Sequence, residues 1–128
     1  MIVLSLPVCP STNALFVNAR GKGRIKTAEY KAWLKTAGLL VSFQTAKSRI
    51  RSVPSPVSVN IRIGKVNQAR DADNFAKACA DLLVSCGVIS GDNLTHLHSI
   101  TAEKAFGAVK EGWLEISVSH IPQRRECA

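Results

Sequence analysis

Seven consecutive residues, Val57-Ser58-Val59-Asn60-Ile61-Arg62-Ile63, alternate between apolar and polar side chains without a break. Successive side chains on a strand point to opposite faces, so this run requires a sheet with one face buried and the other wet. Leu114, Ile116 and Val118 repeat the pattern around Glu115, Ser117 and Ser119. Ile2, Leu4 and Leu6 repeat it in a first strand that Pro7 and Pro10 close. Residues 94–102 read as a further strand, with Gly107 and Gly112 marking a turn region before the last one.

Such a sheet needs apolar surface laid on its buried face, and two segments carry a helical period. Thr27 can cap a helix in which Tyr30, Trp33, Leu34, Ala37 and Val41 recur at spacings of three and four; it should run to about Lys47. Tyr30 and Trp33 could stack on bases, but at this spacing the core is their commoner place. The second helix should start at Asp73 or Asn74 and end at Cys86, with Gly87 as its stop. Phe75, Cys79, Leu82 and Cys86 share one face, while Lys77 lies a turn beyond Asp73 and away from the core. The order β-α-β-α-β-β implies an α+β fold: one domain over residues 1–128, with a mixed sheet of about four strands and two helices able to cover one face. The last two strands are candidates for a hairpin. Residues 8–26 read as a basic, glycine-punctuated loop, and 122–128 as a frayed tail.

Charge narrows the function. From Arg20 to Arg70 there are twelve Lys/Arg and one acid, Glu29; from Asp71 onward there are five Lys/Arg and eight acids. A formal net charge of +8 favours a polyanionic partner, because each cation near a phosphate releases counterions. Arg20, Lys22, Arg24 and Lys26, and then Arg62, Lys65 and Arg70, are the candidate phosphate contacts. No apolar run is long enough to span a membrane and the N-terminus lacks the form of a signal peptide, so a cytosolic protein is expected. Four cysteines without a Cys-x-x-Cys pair read as reduced, structural thiols. No phosphate-binding loop, dinucleotide fingerprint or nucleophile elbow appears, and no organic cofactor is implied.

The acids suggest chemistry. Asp71 and Asp73 frame a single alanine in Arg70-Asp71-Ala72-Asp73-Asn74-Phe75-Ala76-Lys77, and Asp92 follows in a glycine-flanked loop. Two hard oxygen ligands from one short stretch suit Mg²⁺, with Mn²⁺ able to substitute. Asp73 could equally be an N-cap, and Ser90-Gly91-Asp92-Asn93 is good turn chemistry; neither alternative is closed by spacing. From Asp73 to Cys86 a helix carries the chain about 20 Å away, so Asp92 joins the pair only if its loop doubles back or if it comes from a second subunit. Lys77 could stabilise charge developing on a phosphate. His96 and His98 have a spacing compatible with zinc, but no third ligand has a persuasive position.

Pro10-Ser11-Thr12-Asn13, Thr27-Ala28-Glu29-Tyr30, the run from Arg70 to Ala78, Asp81, Gly87 and Gly91-Asp92 together resemble the RusA family of Holliday junction resolvases. Family members often have more arginines before the first aspartate, where Asn67-Gln68-Ala69 stands here, and two acids at the position of Gly91-Asp92. The resemblance implies a Mg²⁺-dependent endodeoxyribonuclease of a bacterial or phage-infected cell. It implies Asp71, Asp73 and Asp92 as metal ligands, Lys77 as a further catalytic residue, branched DNA as substrate and a homodimer as the working unit. Without it, a basic module that grips nucleic acid and does not cut it would account for the same composition.

Overall fold

The computed structural model describes residues 1–10, 16–21, 23–66, 73–93 and 95–122. The elements are β1 (Ile2–Pro7), β2 (Phe16–Ala19), β3 (Gly23–Lys26), α1 (Ala28–Ser48), β4 (Val57–Ile63), α2 (Asp73–Ser85), β5 (Leu97–Lys104) and β6 (Trp113–His120). The fold is α+β, with one four-stranded mixed sheet ordered β1-β6-β4-β5 and a separate two-stranded sheet of β2 and β3.

Alternation sets the faces. Leu4, Leu6, Val57, Val59, Ile61, Leu114, Ile116 and Val118 are all buried in one core with Tyr30, Ala37 and Val41 of α1 and Phe75, Ala78, Cys79, Leu82 and Leu83 of α2. The opposite sheet face is polar and cross-linked through its side chains: Ser58 to Ser99 (2.8 Å), Thr101 to Asn60 (3.1 Å) and Arg62 to Glu115 (2.7 Å). Both helix ends behave as expected. Thr27 Oγ1 accepts from the Tyr30 N–H at 3.1 Å, and Gly87 follows α2 at φ +74°, a conformation that favours glycine.

Two expectations fail. The last two strands are not a hairpin: β6 lies between β1 and β4, antiparallel to both, while β5 pairs parallel to β4 at the sheet edge. The segment between them passes across the end of β4. Ala105 N–H bonds to Ile63 O, Gly64 N–H to Trp113 O and Gly112 N–H to Lys65 O. Gly64 permits this approach, since a Cβ there would run into the Lys110 carbonyl. The burial pattern carries the reason, because β6 buries every second residue along its length and belongs in the centre, whereas β5 buries only Leu97 fully. Secondly, the supposed loop 8–26 contains the β2–β3 hairpin, with Phe16 opposite Lys26 and Ala19 opposite Gly23. Gly21 (φ +75°) and Gly23 (φ +68°) supply the left-handed backbone of its turn.

Candidate nucleic-acid and metal site

β4 leads into the aspartates. Beyond Lys65 the chain enters residues 67–72; Arg70 and Asp71, like Lys22 earlier, lie outside the described residues. It returns at Asp73, the first residue of α2, whose side chain, like those of Asn74 and Arg24, is also outside what is described. Lys77, one turn into α2, is exposed as the helical period requires.

Several contacts bring basic elements to the end of the molecule where α2 starts. Trp33 Nε1 donates to Pro7 O at the end of β1 (3.0 Å), and Pro7 pairs with Trp113 at the start of β6. Leu114, next in β6, pairs with Ile63, so the start of α1 and the end of β4 lie together. The helices run in the same direction: Tyr30 OH, in the first turn of α1, donates to Asp81 Oδ2 at 2.7 Å, while Gly38, two turns on, faces Cys86 just past α2. Lys26 of β3 holds its Nζ 5.8 Å from the centre of the Tyr30 ring, which docks the hairpin at the same end. Arg20, Lys26, Lys65 and Lys77 are all exposed. Arg62 differs, because its guanidinium is already paired with Glu115 on the polar sheet face.

Asp92 is elsewhere. Val88 N–H bonds to Leu83 O (2.9 Å), so the chain turns tightly after α2. Gly91 packs against the His96 ring, and His96 O accepts from Val57 N–H (2.9 Å). Exposed Asp92 therefore sits at the beginning of β4 and β5, the end at which α2 finishes. The thirteen residues of α2 span about 18 Å, so within one chain the helix stands between Asp73 and Asp92. Among the described residues no three His, Cys, Asp or Glu side chains gather at one point.

The histidines have structural partners. His96 Nδ1 lies 3.0 Å from Ser55 Oγ, and His120 Nδ1 donates to Pro54 O at 2.9 Å, so both hold the 53–56 segment. His98, two residues on from His96, is exposed. Cys9 and Cys79 are buried thiols and Cys86 is a half-buried one, while Cys127 lies outside the described residues. Burial raises the pKa of Cys79 well above that of an ordinary thiol. Tyr30 and Trp33 belong to the core, with rings stacked at 6.3 Å. Sequence reasoning gave no role to Asp81 or to Gln44. The first anchors Tyr30; the second accepts from Ser5 N–H and donates to Ser5 O (2.8 Å each), closing the outer edge of β1.

No helix is long and apolar enough to cross a membrane, among the described residues. Compared with known protein families and with curated proteins, the chain matches none.

Proposed function

We propose that this chain is a Mg²⁺-dependent, structure-selective endodeoxyribonuclease of the RusA type, which resolves four-way DNA junctions as a homodimer in the cytoplasm. The observation that supports the reading is that α2 begins at Asp73, beyond the end of β4, with exposed Lys65 before it and exposed Lys77 one turn into it. A phosphodiester would be drawn there by charge and would meet carboxylates at a helix start.

The proposed donor set suits a hard cation, since carboxylate oxygens suit Mg²⁺ or Mn²⁺. Asp71, Asp73 and Asp92 would hold the ion, which when bound supplies charge neutralisation at the phosphate and lowers the pKa of a water. Lys77 would place its ammonium beside the developing negative charge on the phosphate oxygens. Lys26, Lys65, Arg20, Lys22, Arg24 and Arg70 would grip the backbone, while Arg62, held by Glu115, contributes less.

The test compares a four-way junction, a fork and a linear duplex, each with and without Mg²⁺. Metal-dependent paired incision of the junction, lost in Asp73→Asn with binding retained, is the expected result. Tight junction binding by the wild type with no cleavage in Mg²⁺ or Mn²⁺ would make the chain a binding module instead.

A further inference from the structure

The sheet face turned away from both helices carries an open recess of about 330 Å³ where β1 ends and β6 begins, within the size range of small-ligand sites. Ser5, Trp113 and Glu115 line it from the sheet, and Ala108, Val109 and Lys110 of the β5–β6 connection complete its wall. Register places these groups. Ser5 pairs with Glu115 and Pro7 with Trp113, so by alternation they stand on the face opposite Leu114 and Ile116 of the core. Ala108 and Val109 both donate their N–H to Ala105 O (3.1 and 2.9 Å), a turn that buries Val109 apart from the main core. Trp113 is half-buried, and the exposed Lys110 holds its ammonium 5.6 Å from the ring centre. Glu115, about 7 Å further along the strand, is held by Arg62. Among the described residues, neither the Ser5 hydroxyl nor Trp113 Nε1–H has a hydrogen-bond partner.

An aromatic ring beside an acid would suit a cationic ligand, but both groups already have a cation: Lys110 lies against the ring and Arg62 against the carboxylate. A further cation would be repelled. A flat ring with N–H donors on its edge meets what remains. We propose that the recess binds a guanine base, stacked on Trp113 with its N1–H and N2–H donated to the Glu115 carboxylate. Stacking accepts any base, so selection comes from the edge. Guanine carries two adjacent N–H donors there, matching the two oxygens of a carboxylate, and Glu115 keeps lone pairs on both after one bond from Arg62. Adenine, cytosine and uracil each set an acceptor beside their donor and would bring it against the negative charge. Lys110, on its flexible stem, can swing from the ring to the phosphate of the same nucleotide. The base arrives as a free guanine nucleotide or as an unpaired guanine in single-stranded DNA, with the same chemistry in the recess. The site uses none of the aspartates, so this inference stands apart from the endonuclease reading.

Tryptophan fluorescence and titration calorimetry test this, in chelator and without Mg²⁺ so that the aspartates play no part. Trp33 is closed into the core at 7% exposure, so a base in the recess quenches Trp113. Guanosine monophosphate should quench saturably and bind at least about tenfold more tightly than the adenosine, cytidine and uridine monophosphates. Glu115→Gln, checked for folding by circular dichroism, should weaken guanosine monophosphate by about tenfold and erase the preference. Lys110→Ala, on the exposed connection, should weaken guanosine monophosphate and leave guanosine unchanged, since it meets only the phosphate. A thymidine oligonucleotide with one central guanine separates the two sources. Tighter binding than the all-thymidine strand, in competition with guanosine monophosphate, supports the site with unpaired guanine in DNA as its occupant; guanosine monophosphate binding without that difference supports it with the free nucleotide. Equal binding of all four nucleotides, absence of saturable quenching, or affinity for guanosine monophosphate unchanged in both variants would overturn the site.

Discussion

Tyr30 is the only tyrosine in the chain, it is fully buried, and its hydroxyl donates to Asp81 at 2.7 Å. Burial first, and then the bond to the Asp81 carboxylate, hold its pKa far above the ordinary value of 10.0. The sign follows from linkage. Below pH 10 both the folded and the unfolded chain keep the phenolic proton, so the contribution is fully present. Above pH 10 the unfolded chain releases the proton and the folded one does not, and stability falls by at most ~1.4 kcal/mol per pH unit from this group. Cys79 acts in the same direction, so the measurement needs a control that removes Tyr30 alone. Tyr30→Phe should cost about 1–2 kcal/mol at pH 7, the value of one buried bond to a charged acceptor whose partner can still meet water. For a chain of this length the entropy of unfolding is roughly 270 cal/mol/K, so the loss corresponds to about 4–7 °C in Tm. The assay pairs denaturant titration of wild type and Tyr30→Phe from pH 8 to 12 with absorbance at 295 nm, which here reports one tyrosinate. The wild type should lose stability more steeply above pH 10 than the variant, with tyrosinate appearing only as the fold is lost. Tyrosinate rising near pH 10 with the circular dichroism of the fold unchanged would refute the argument.

Lys77→Ala should lower the single-turnover cleavage rate by roughly 10²-fold with little change in Kd, the size expected for a lost electrostatic stabiliser; weaker binding at an unchanged rate would make Lys77 an ordinary phosphate contact. Lys26→Ala should reduce the salt dependence of junction binding by nearly one unit in log–log slope while Arg62→Ala leaves it almost unchanged, because Glu115 already neutralises Arg62; equal slopes for the two variants would contradict this. Gly64→Ala should destabilise the fold by about 2 kcal/mol or more, since the added Cβ meets backbone at Lys110, and urea titration would read it. Under native conditions Cys86 should react slowly with a thiol reagent and Cys79 only on unfolding, as burial raises the pKa of both and only Cys86 is partly open; equal rates would refute the placement.

How much of this was legible in the sequence depended on the range of the interactions involved. β4 and β6 announce themselves because one face of each is wholly buried, which forces strict alternation on the residues. Both helices are legible from their apolar stripes and from Thr27 and Gly87 at their ends. The β2–β3 hairpin is not, because strands of four residues are too short for a period to show and both lie outside the main sheet. Its signal was Gly21 and Gly23, which mark a turn without saying that strands flank it. Strand order was likewise hidden. Neighbouring strands often pair, yet β5 and β6 are held apart by contacts of residues 105–112 with the end of β4, and those depend on backbone with no side-chain signature.

Asp81 and Asp92 show the same limit for the candidate site. The run around Asp71 and Asp73 is compact in sequence, so its placement before a helix could be reasoned from spacing alone. Asp81 stands within the same recognisable stretch, but its carboxylate is spent on Tyr30, fifty-one residues away, and joins α1 to α2. That pairing is invisible to periodicity, which reads the spacing of apolar residues and not the partner of a polar one. For Asp92 the sequence left two routes to the other aspartates, a loop that doubles back or a second chain. The bonds from Val88 to Leu83 and from Val57 to His96 hold that loop at the far end of α2, so it does not double back to Asp73 within one chain.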